Sequence, residues 1–338
     1  MLLEKICRLE DDRELLRFSE ISDPSPAEKE ILIRVSACGV CHTELDEIEG
    51  RTTPPRLPIV PGHQVVGTVA ALGKNADRFK PGDRVGVAWI FSACGTCKFC
   101  TSGKENLCAD FKATGRDVNG GYAEMMTVHQ DFAYSLPEVF TDAEAAPLLC
   151  AGAIGYRSLR LSGIANGQNL GLTGFGASAH LVLKMVRHQY PSVKVFVFAR
   201  SEREREFARE LGAVWSGETT AHSPQKLDAI IDTTPAWMSI VEALKNLEPG
   251  GRLVINAIRK EETDKETLLS LSYPNHLWLE KEIKSAANVA RSDVSGFLQL
   301  AAEMLIRPEV EEYPLQDANR ALIELKVAKI RGAKVLRM

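Results

Sequence analysis

The sequence predicts an α/β protein with two domains, an irregular β-barrel and a doubly wound parallel sheet. Three observations support this prediction. The chain has 338 residues, and a single core stops growing at about 250–300 residues. Short β-branched runs broken by turn signals fill the chain up to about residue 150. From about residue 152 to 286, apolar strands alternate with segments of helical period, which is typical of a parallel sheet covered by helices.

The β-rich part contains the runs ILIRVSACGV, QVVGTVAALG and KPGDRVGVAW. Pro81, Gly82 and Asp83 mark a tight turn in the third run. Near the end of the chain, a helix-like stretch, DVSGFLQLAAEMLI, precedes a closing strand, IRGAKVLRM, which we expect to return to the first domain. The predicted domains are therefore residues 1–151 with 287–338, and residues 152–286.

Composition excludes several classes of protein. Hydrophobic residues make up 45%, charged residues 25%, and the net charge is −4, which gives nucleic acid no basic surface to bind. No apolar run approaches the ~18 residues that span a bilayer. We therefore expect a cytoplasmic protein with no membrane or nucleic-acid partner. In that compartment cysteines stay reduced, so closely spaced cysteines favour metal over disulfides.

Four cysteines form a compact set within CGTCKFCTSGKENLC, namely Cys94, Cys97, Cys100 and Cys108. This spacing can surround one tetrahedral zinc ion with thiolates and leave no open position, which indicates a structural site. Gly95 and Gly103 permit the sharp turns that the wrapping needs. A zinc ribbon that binds nucleic acid is disfavoured, because the segment carries only two basic residues.

Three further ligands lie far apart in the sequence, at Cys41, His63 and Cys150. Two thiolates, one imidazole and an open fourth position make a catalytic zinc site of the type found in alcohol dehydrogenase. Cys38 and Cys41 also form a CxxC pair, but a thioredoxin-like redox role leaves His63 and Cys150 unexplained.

The segments GVCHTEL, PGHQVVGTV, CGTCKFC, GGYAEM, APLLCAG and LTGFGASAH resemble, in this order, the medium-chain zinc-dependent alcohol dehydrogenases. The resemblance is strongest to the cinnamyl-alcohol-dehydrogenase-like branch and covers nearly the whole chain. It implies a GroES-like catalytic domain and a homo-oligomer, either a dimer or a tetramer. It also implies that Cys41, His63 and Cys150 bind a catalytic zinc ion, and that the Thr43 hydroxyl passes the substrate proton onward. By the same resemblance, His42 approaches the coenzyme pyrophosphate and Trp89 lines the substrate pocket.

Three residues depart from the family pattern. Gln64 stands where Glu is usual beside the histidine ligand, Asp46 stands where many members have His at the end of the proton relay, and Glu44 replaces Asp. Since the ligands and Thr43 are retained, we expect altered kinetics or pH dependence and not loss of function.

A dinucleotide site is predicted after the first strand of the second domain. Gly174, Phe175, Gly176 and Ala177 begin a GxGxxA motif that opens a helix, as in a Rossmann unit. About 20 residues on, where an NAD-dependent enzyme carries Asp or Glu, this chain has Ala199, Arg200 and Ser201. Arg200 and Ser201 can donate to a 2′-phosphate, with help from Arg205, so NADP(H) is favoured. Arg205 fits equally well on a solvated helix face.

These features favour a zinc enzyme that transfers hydride reversibly between NADP(H) and a primary alcohol or aldehyde, with two Zn²⁺ ions per chain. The catalytic zinc ion would promote ionisation of the alcohol. Two alternatives stay open at this point. One is a zinc-free quinone or enoyl reductase of the same superfamily, and the other is a non-catalytic NADP-binding protein.

Overall fold

A computed structural model describes residues 1–10, 14–327 and 332–338. The strands, in chain order, are β1 (Glu30–Val40), β2 (Val65–Leu72), β3 (Arg84–Val87), β4 (Ile90–Ser92), β5 (Lys112–Ala113), β6 (Met125–His129), β7 (Ala133–Ser135), β8 (Asn169–Thr173), β9 (Lys194–Phe198), β10 (Trp215–Gly217), β11 (Leu227–Asp232), β12 (Leu247–Ile255), β13 (Glu282–Ser285), β14 (Val310–Pro314) and β15 (Ala333–Arg337).

The α-helices are α1 (His42–Ile48), α2 (Lys98–Thr101), α3 (Asp142–Pro147), α4 (Ala153–Ser162), α5 (Ala177–Gln189), α6 (Glu202–Glu210), α7 (Met238–Leu244), α8 (Arg291–Glu303) and α9 (Ala318–Lys326). Short 3₁₀ turns occur at Glu105–Leu107, Gln130–Phe132, Lys265–Ser270 and Leu315–Asp317. π-Helical turns occur at Leu148–Gly152 and Tyr273–Leu277. Among the described residues, none of the helices has the length and apolar character needed to cross a lipid bilayer.

The chain forms two compact units, Met1–Cys150 with Val289–Met338, and Ala151–Asn288. The first unit contains a seven-stranded mixed sheet in the order β14-β15-β1-β2-β3-β7, with β6 also paired to β1. β1 is the central strand and buries Ile31 and Ile33 completely. The predicted turn before β3 is present, with Gly82 at a φ of +95° that favours glycine. β15 supplies the predicted closing strand, although residues 330–331 of that prediction lie outside the described residues.

The second unit contains a six-stranded parallel sheet in the order β10-β9-β8-β11-β12-β13. The strands β8, β9 and β11 are mostly buried, as expected where helices cover both faces of a parallel sheet, whereas β13 is exposed. β8 is first in sequence and lies between β9 and β11, so the strand order reverses there. Open α/β sheets bind their ligands at the carboxyl ends of the strands at such a reversal. The expected combination of a mixed-sheet domain and a parallel, doubly wound domain is confirmed.

Candidate active site

Three ligand atoms that are distant in sequence meet in the first unit. Cys41 lies between β1 and α1, His63 precedes β2, and Cys150 lies in the π-helical turn Leu148–Gly152. Their sulfur and nitrogen atoms all lie within 4.8 Å of one another. Cys41 Sγ is 3.9 Å from His63 Nε2. The structure therefore brings together the three residues that the sequence assigned to a catalytic zinc ion.

These distances fit a zinc ion. A thiolate at ~2.3 Å and an imidazole nitrogen at ~2.0–2.1 Å in a tetrahedron place the two donor atoms about 3.6 Å apart, close to the 3.9 Å between Cys41 Sγ and His63 Nε2. A hydrogen bond with Cys150, burial and the nearby charge of Glu44 all raise the pKa of the Cys41 thiol well above its usual range. Because a thiol must lose its proton to bind a metal, zinc affinity at this site depends on pH.

Glu44 orients the histidine ligand. Its Oε1 atom lies 2.5 Å from His63 Nδ1, and its Oε2 atom accepts a hydrogen bond of 2.9 Å from the Cys41 N–H. The Glu44 and His63 side chains are both buried. Contact with Nδ1 leaves Nε2 of His63 directed at the cysteines, which is the usual arrangement around a metal-bound histidine. In the sequence, Glu44 stands out only as a departure from the family pattern. A local signal for its role is its position three residues after Cys41, which completes a capping box on α1.

Thr43 lies beside one of the three ligands, and Trp89 is held in the same unit by aromatic packing. The Thr43 N–H lies 3.3 Å from Cys41 Sγ, so the first turn of α1 places this residue beside a ligand. Trp89 lies between β3 and β4 and packs against Phe111, with ring centroids 5.4 Å apart. Its indole nitrogen is buried and has no hydrogen-bond partner among the described residues. His42, the first residue of α1, is exposed.

Two of the departures from the family pattern have clear structural consequences. The Asp46 carboxylate is 2.5 Å from Arg51 Nε, so this side chain is held in an ion pair. Gln64 is buried, and its side chain packs so closely that a Cβ atom on Gly39 would lie 2.7 Å from its Oε1 atom. Asp46 is thus occupied by a cation, and Gln64 fills space against the backbone.

The compact cysteine set also converges. The four sulfur atoms of Cys94, Cys97, Cys100 and Cys108 all lie within 4.8 Å of one another. Cys94 Sγ and Cys100 Sγ are 3.8 Å apart, which is the spacing expected of two thiolates on one zinc ion. Hydrogen bonds from Thr96 and Cys97 lower the pKa of the Cys94 thiol to about 6. Such bonds favour the thiolate form that a metal requires.

The glycine-rich turn follows β8 and opens α5. Gly174 has a φ of +75°, and a Cβ atom there would lie 2.8 Å from Thr234 Cγ2. Gly176 differs, because its backbone is extended and nothing lies within 4 Å of an added Cβ atom. Its missing side chain therefore leaves space in front of the N-terminus of α5, which has no side-chain cap. Free N–H groups and open space at a helix N-terminus fit a pyrophosphate. Phe175 is buried, and Ala177 is the first residue of α5.

The loop after β9 is held by its own side chains. The Ser201 hydroxyl caps α6 by accepting the Glu204 N–H, and it also lies 2.9 Å from the Glu204 carboxylate. Arg205 Nη1 donates to the carbonyls of Ala199 and Arg200, at 2.8 and 3.0 Å. The Arg200 side chain is exposed and has no hydrogen bond or ion pair within the described part of the chain. Of the predicted phosphate contacts, Arg200 is therefore uncommitted, whereas Ser201 and Arg205 have partners.

Comparison with known proteins agrees with this geometry. Residues 27–138 match the family described as the alcohol dehydrogenase GroES-like domain. A probable alcohol dehydrogenase AdhA of Mycobacterium tuberculosis is 42% identical over 318 residues, which cover 93% of this chain and 90% of that protein. Probable cinnamyl alcohol dehydrogenase 3 of Oryza sativa subsp. japonica is 30% identical, covering 92% and 87%.

A solved structure gives the same result. The cinnamyl alcohol dehydrogenase SbCAD4 of Sorghum bicolor has a TM-score of 0.83 and 28% identity, covering 96% of this chain and 95% of that chain. The fold and the two ligand clusters define a two-domain dehydrogenase of the GroES-like and Rossmann type. The chain belongs to the medium-chain alcohol dehydrogenase family, in its cinnamyl-alcohol-dehydrogenase-like branch. The resemblance identified from the sequence motifs is confirmed.

Proposed function

We propose that this alcohol dehydrogenase is zinc-dependent and transfers hydride reversibly between NADP(H) and a primary alcohol or aldehyde. The convergence of Cys41, His63 and Cys150 is the observation that carries the proposal. A zinc-free reductase of the same superfamily needs neither this set nor the four-cysteine set. In this proposal the first unit performs catalysis, and the second binds the coenzyme through the glycine-rich turn.

The ligands fit zinc in type as well as in distance, since thiolate and imidazole are its preferred donors. Cys41, His63 and Cys150 would hold the catalytic ion, which supplies a Lewis acid for the substrate oxygen when bound. Cys94, Cys97, Cys100 and Cys108 would hold a second, structural ion. Glu44 would keep the His63 imidazole in the required tautomer and orientation, because its carboxylate lies 2.5 Å from Nδ1.

Thr43 is the residue that we propose moves the substrate proton. Its hydroxyl is on the second residue of α1, within the first turn of the helix that Cys41 caps. A hydroxyl both donates and accepts, so it can pass a proton without holding a charge. Asp46 is a poor next member of the relay because Arg51 holds its carboxylate. We therefore leave Asp46 out of the proposed relay.

The preference for NADP(H) follows from charge at the end of β9. None of Ala199, Arg200 and Ser201 carries the carboxylate that repels a 2′-phosphate. Glu202 and Glu204 do lie in the first turn of α6, but each is bonded to a neighbour, Glu202 to Arg205 and Glu204 to Ser201. Arg200 is then the exposed side chain available to bind a phosphate.

The test combines metal analysis with kinetics. We expect about two zinc ions per chain, oxidation of primary alcohols, and a higher kcat/KM with NADP⁺ than with NAD⁺. Cys41→Ala should remove one zinc ion and the activity while leaving the second ion bound. Turnover without zinc would support the quinone or enoyl reductase alternative. Binding of NADPH without turnover of any alcohol or aldehyde would support a non-catalytic protein.

A further inference from the structure

A buried ion pair lies at the carboxyl edge of the parallel sheet in the second unit. Asp232 is the last residue of β11 and is completely buried. Lys260 follows β12, and its side chain is only 8% exposed. Its Nζ atom is 2.5 Å from Asp232 Oδ2 and also donates to the carbonyls of Thr234 and Ala236, at 2.8 and 3.1 Å. An ammonium group has three N–H donors, so this lysine is fully used in holding protein segments together.

The other oxygen of Asp232 connects the ion pair to β8. Its Oδ1 atom accepts hydrogen bonds from the hydroxyls of Thr173, Thr234 and Ser239, at 2.5, 2.9 and 3.0 Å. Thr173 is the last residue of β8 and directly precedes Gly174. The ion pair therefore joins the ends of β8 and β11, the first turn of α7 and the segment after β12. β8 and β11 are neighbours at the reversal of the strand order, where a coenzyme is expected to bind.

The loop after β11 packs directly against the glycine-rich turn. A Cβ atom on Gly174 would lie 2.8 Å from Thr234 Cγ2 and 2.9 Å from Thr233 Oγ1. The N–H and the hydroxyl of Thr233 both donate to the Thr173 carbonyl, each at 2.9 Å. Because close-packed interiors transmit small shifts, a displacement of this loop also displaces the turn. That turn sets the position of the free N–H groups at the start of α5.

We propose that Lys260, acting through Asp232 and the loop after β11, positions the turn that binds the coenzyme pyrophosphate. This inference rests on the proposed function, because it concerns the coenzyme site of that function. The pyrophosphate is common to NADP(H) and NAD(H), so loss of Lys260 should weaken both coenzymes by the same factor, unlike loss of Arg200. A buried ion pair adds little net stability compared with apolar residues of similar size. The geometry that the pair fixes is therefore its main contribution.

The experiment titrates the zinc-loaded enzyme with NADPH and with NADH and follows the nicotinamide fluorescence. Lys260→Met removes the ammonium group and keeps a long side chain. A displacement of about 1 Å at a binding site can cost about 100-fold, so we expect the Kd of both coenzymes to rise about 10- to 100-fold. At saturating coenzyme, kcat for aldehyde reduction should stay within about threefold of the wild type, because the variant loses binding and not chemistry.

Three further variants separate positioning from a general loss of stability. Thr173→Val removes one hydroxyl at nearly the same volume and should raise both Kd values about three- to tenfold. In the double variant Asp232→Asn/Lys260→Met no unpaired buried charge remains, so the Tm should recover while both Kd values stay high. Lys334→Met is the matched control, because Lys334 in the first unit also has a buried side chain paired with carboxylates. It should lower the Tm and leave both Kd values within about twofold of the wild type.

The outcomes distinguish this inference from the proposed function. Unchanged Kd values in both Lys260→Met and Thr173→Val overturn the inference, and Thr173→Val alone decides if Lys260→Met fails to fold. A loss confined to NADPH, a wild-type Kd in the double variant, or an equal loss in Lys334→Met also overturns it. A wild-type enzyme that binds neither coenzyme refutes the proposed function and the inference together. One that binds both coenzymes but acts on no alcohol or aldehyde refutes only the proposed function, since the Kd values still decide the role of Lys260.

Discussion

Glu44→Gln is the substitution that tests most directly how the catalytic ligands are held. One oxygen of Glu44 accepts a hydrogen bond from the Cys41 N–H at 2.9 Å, and the other lies 2.5 Å from His63 Nδ1. A glutamine side chain has almost the same size but only one accepting atom, because its amide nitrogen donates. If the glutamine oxygen faces His63, its amide nitrogen faces the Cys41 N–H, and in the reverse orientation the amide nitrogen faces His63 Nδ1. In both cases two hydrogen-bond donors meet at a buried position. The substitution therefore disturbs a ligand, while the volume of the side chain barely changes.

The expected loss can be estimated from this geometry. Removing the outer partner of a metal-bound histidine typically lowers metal affinity about 10- to 100-fold, which corresponds to about 1.4–2.7 kcal/mol. Competition with a chromophoric chelator measures the dissociation constant of each zinc ion. The ion at Cys41, His63 and Cys150 should bind more weakly by this factor, and kcat/KM at limiting zinc should fall in parallel.

Two controls make the measurement decisive. Glu44→Asp restores a carboxylate, which is the residue usual in the family, and should recover most of the affinity. The four-cysteine site should keep its ion in both variants, since none of its ligands contacts Glu44. If Glu44→Gln bound the catalytic zinc ion as tightly as the wild type, the assigned role of Glu44 would be wrong. Equal loss of both ions would point instead to general unfolding.

Three further substitutions test other parts of the structure. Arg200→Ala should lower kcat/KM for NADPH about 10- to 100-fold, because a charge-assisted contact to the 2′-phosphate is lost, and should leave NADH nearly unaffected. Cys97→Ser should release one zinc ion and lower the Tm, while the catalytic ion stays bound. Glu49→Gln should make the free energy of unfolding less sensitive to acid. Burial raises the pKa of Glu49, but hydrogen bonds from Lys326 and Arg51 lower it further, to about 2, below its ordinary 4.5.

The sign of the Glu49 effect follows from linkage. A carboxyl group whose pKa is lower in the folded state stabilises the protein above its unfolded pKa, and this stabilisation disappears as pH falls towards the folded pKa. Urea unfolding between about pH 4.5 and pH 2 should therefore show a smaller pH dependence in Glu49→Gln than in the wild type. Parallel curves would contradict the assignment.

The other two predictions have equally clear contradictory results. For Arg200→Ala it is an equal loss of kcat/KM with both coenzymes, and for Cys97→Ser it is a full zinc content.

Much of the fold was predictable because its signals are local. The change from β-branched runs to alternating strands and helices indicates the second unit. Three adjacent residues, Pro81, Gly82 and Asp83, predict the turn before β3. The ligand residues were predictable from their order and spacing through the family resemblance. The capping box at Ser201 and Glu204 also has a local signal, Ser-x-x-Glu, although the same serine fits a phosphate ligand equally well in the sequence.

The remaining features depend on contacts between distant segments. No local pattern indicates that Lys326, on α9, pairs with Glu49 at 2.5 Å. The ion pair of Asp46 with Arg51 spans only five residues, but it forms because the chain turns back at the end of α1. Burial is equally non-local, because a glutamate in a helix is exposed by default and becomes unusual only when tertiary packing covers it.

Helix α1 and its C-terminal residue show how one short segment assigns different roles to similar side chains. Successive residues of a helix are rotated by about 100°, so its carboxylates point in different directions. Glu44 holds His63, whereas Asp46 and Glu49 are neutralised by Arg51 and Lys326.

Among the described residues of this segment, Glu47 is the acidic side chain left buried without a hydrogen bond. A buried carboxyl group without a hydrogen bond lowers the stability of the folded state. Glu47→Met should therefore raise the Tm, which thermal unfolding of the zinc-loaded enzyme measures. An unchanged or lower Tm would show that the Glu47 carboxyl group contributes to the stability of the folded protein.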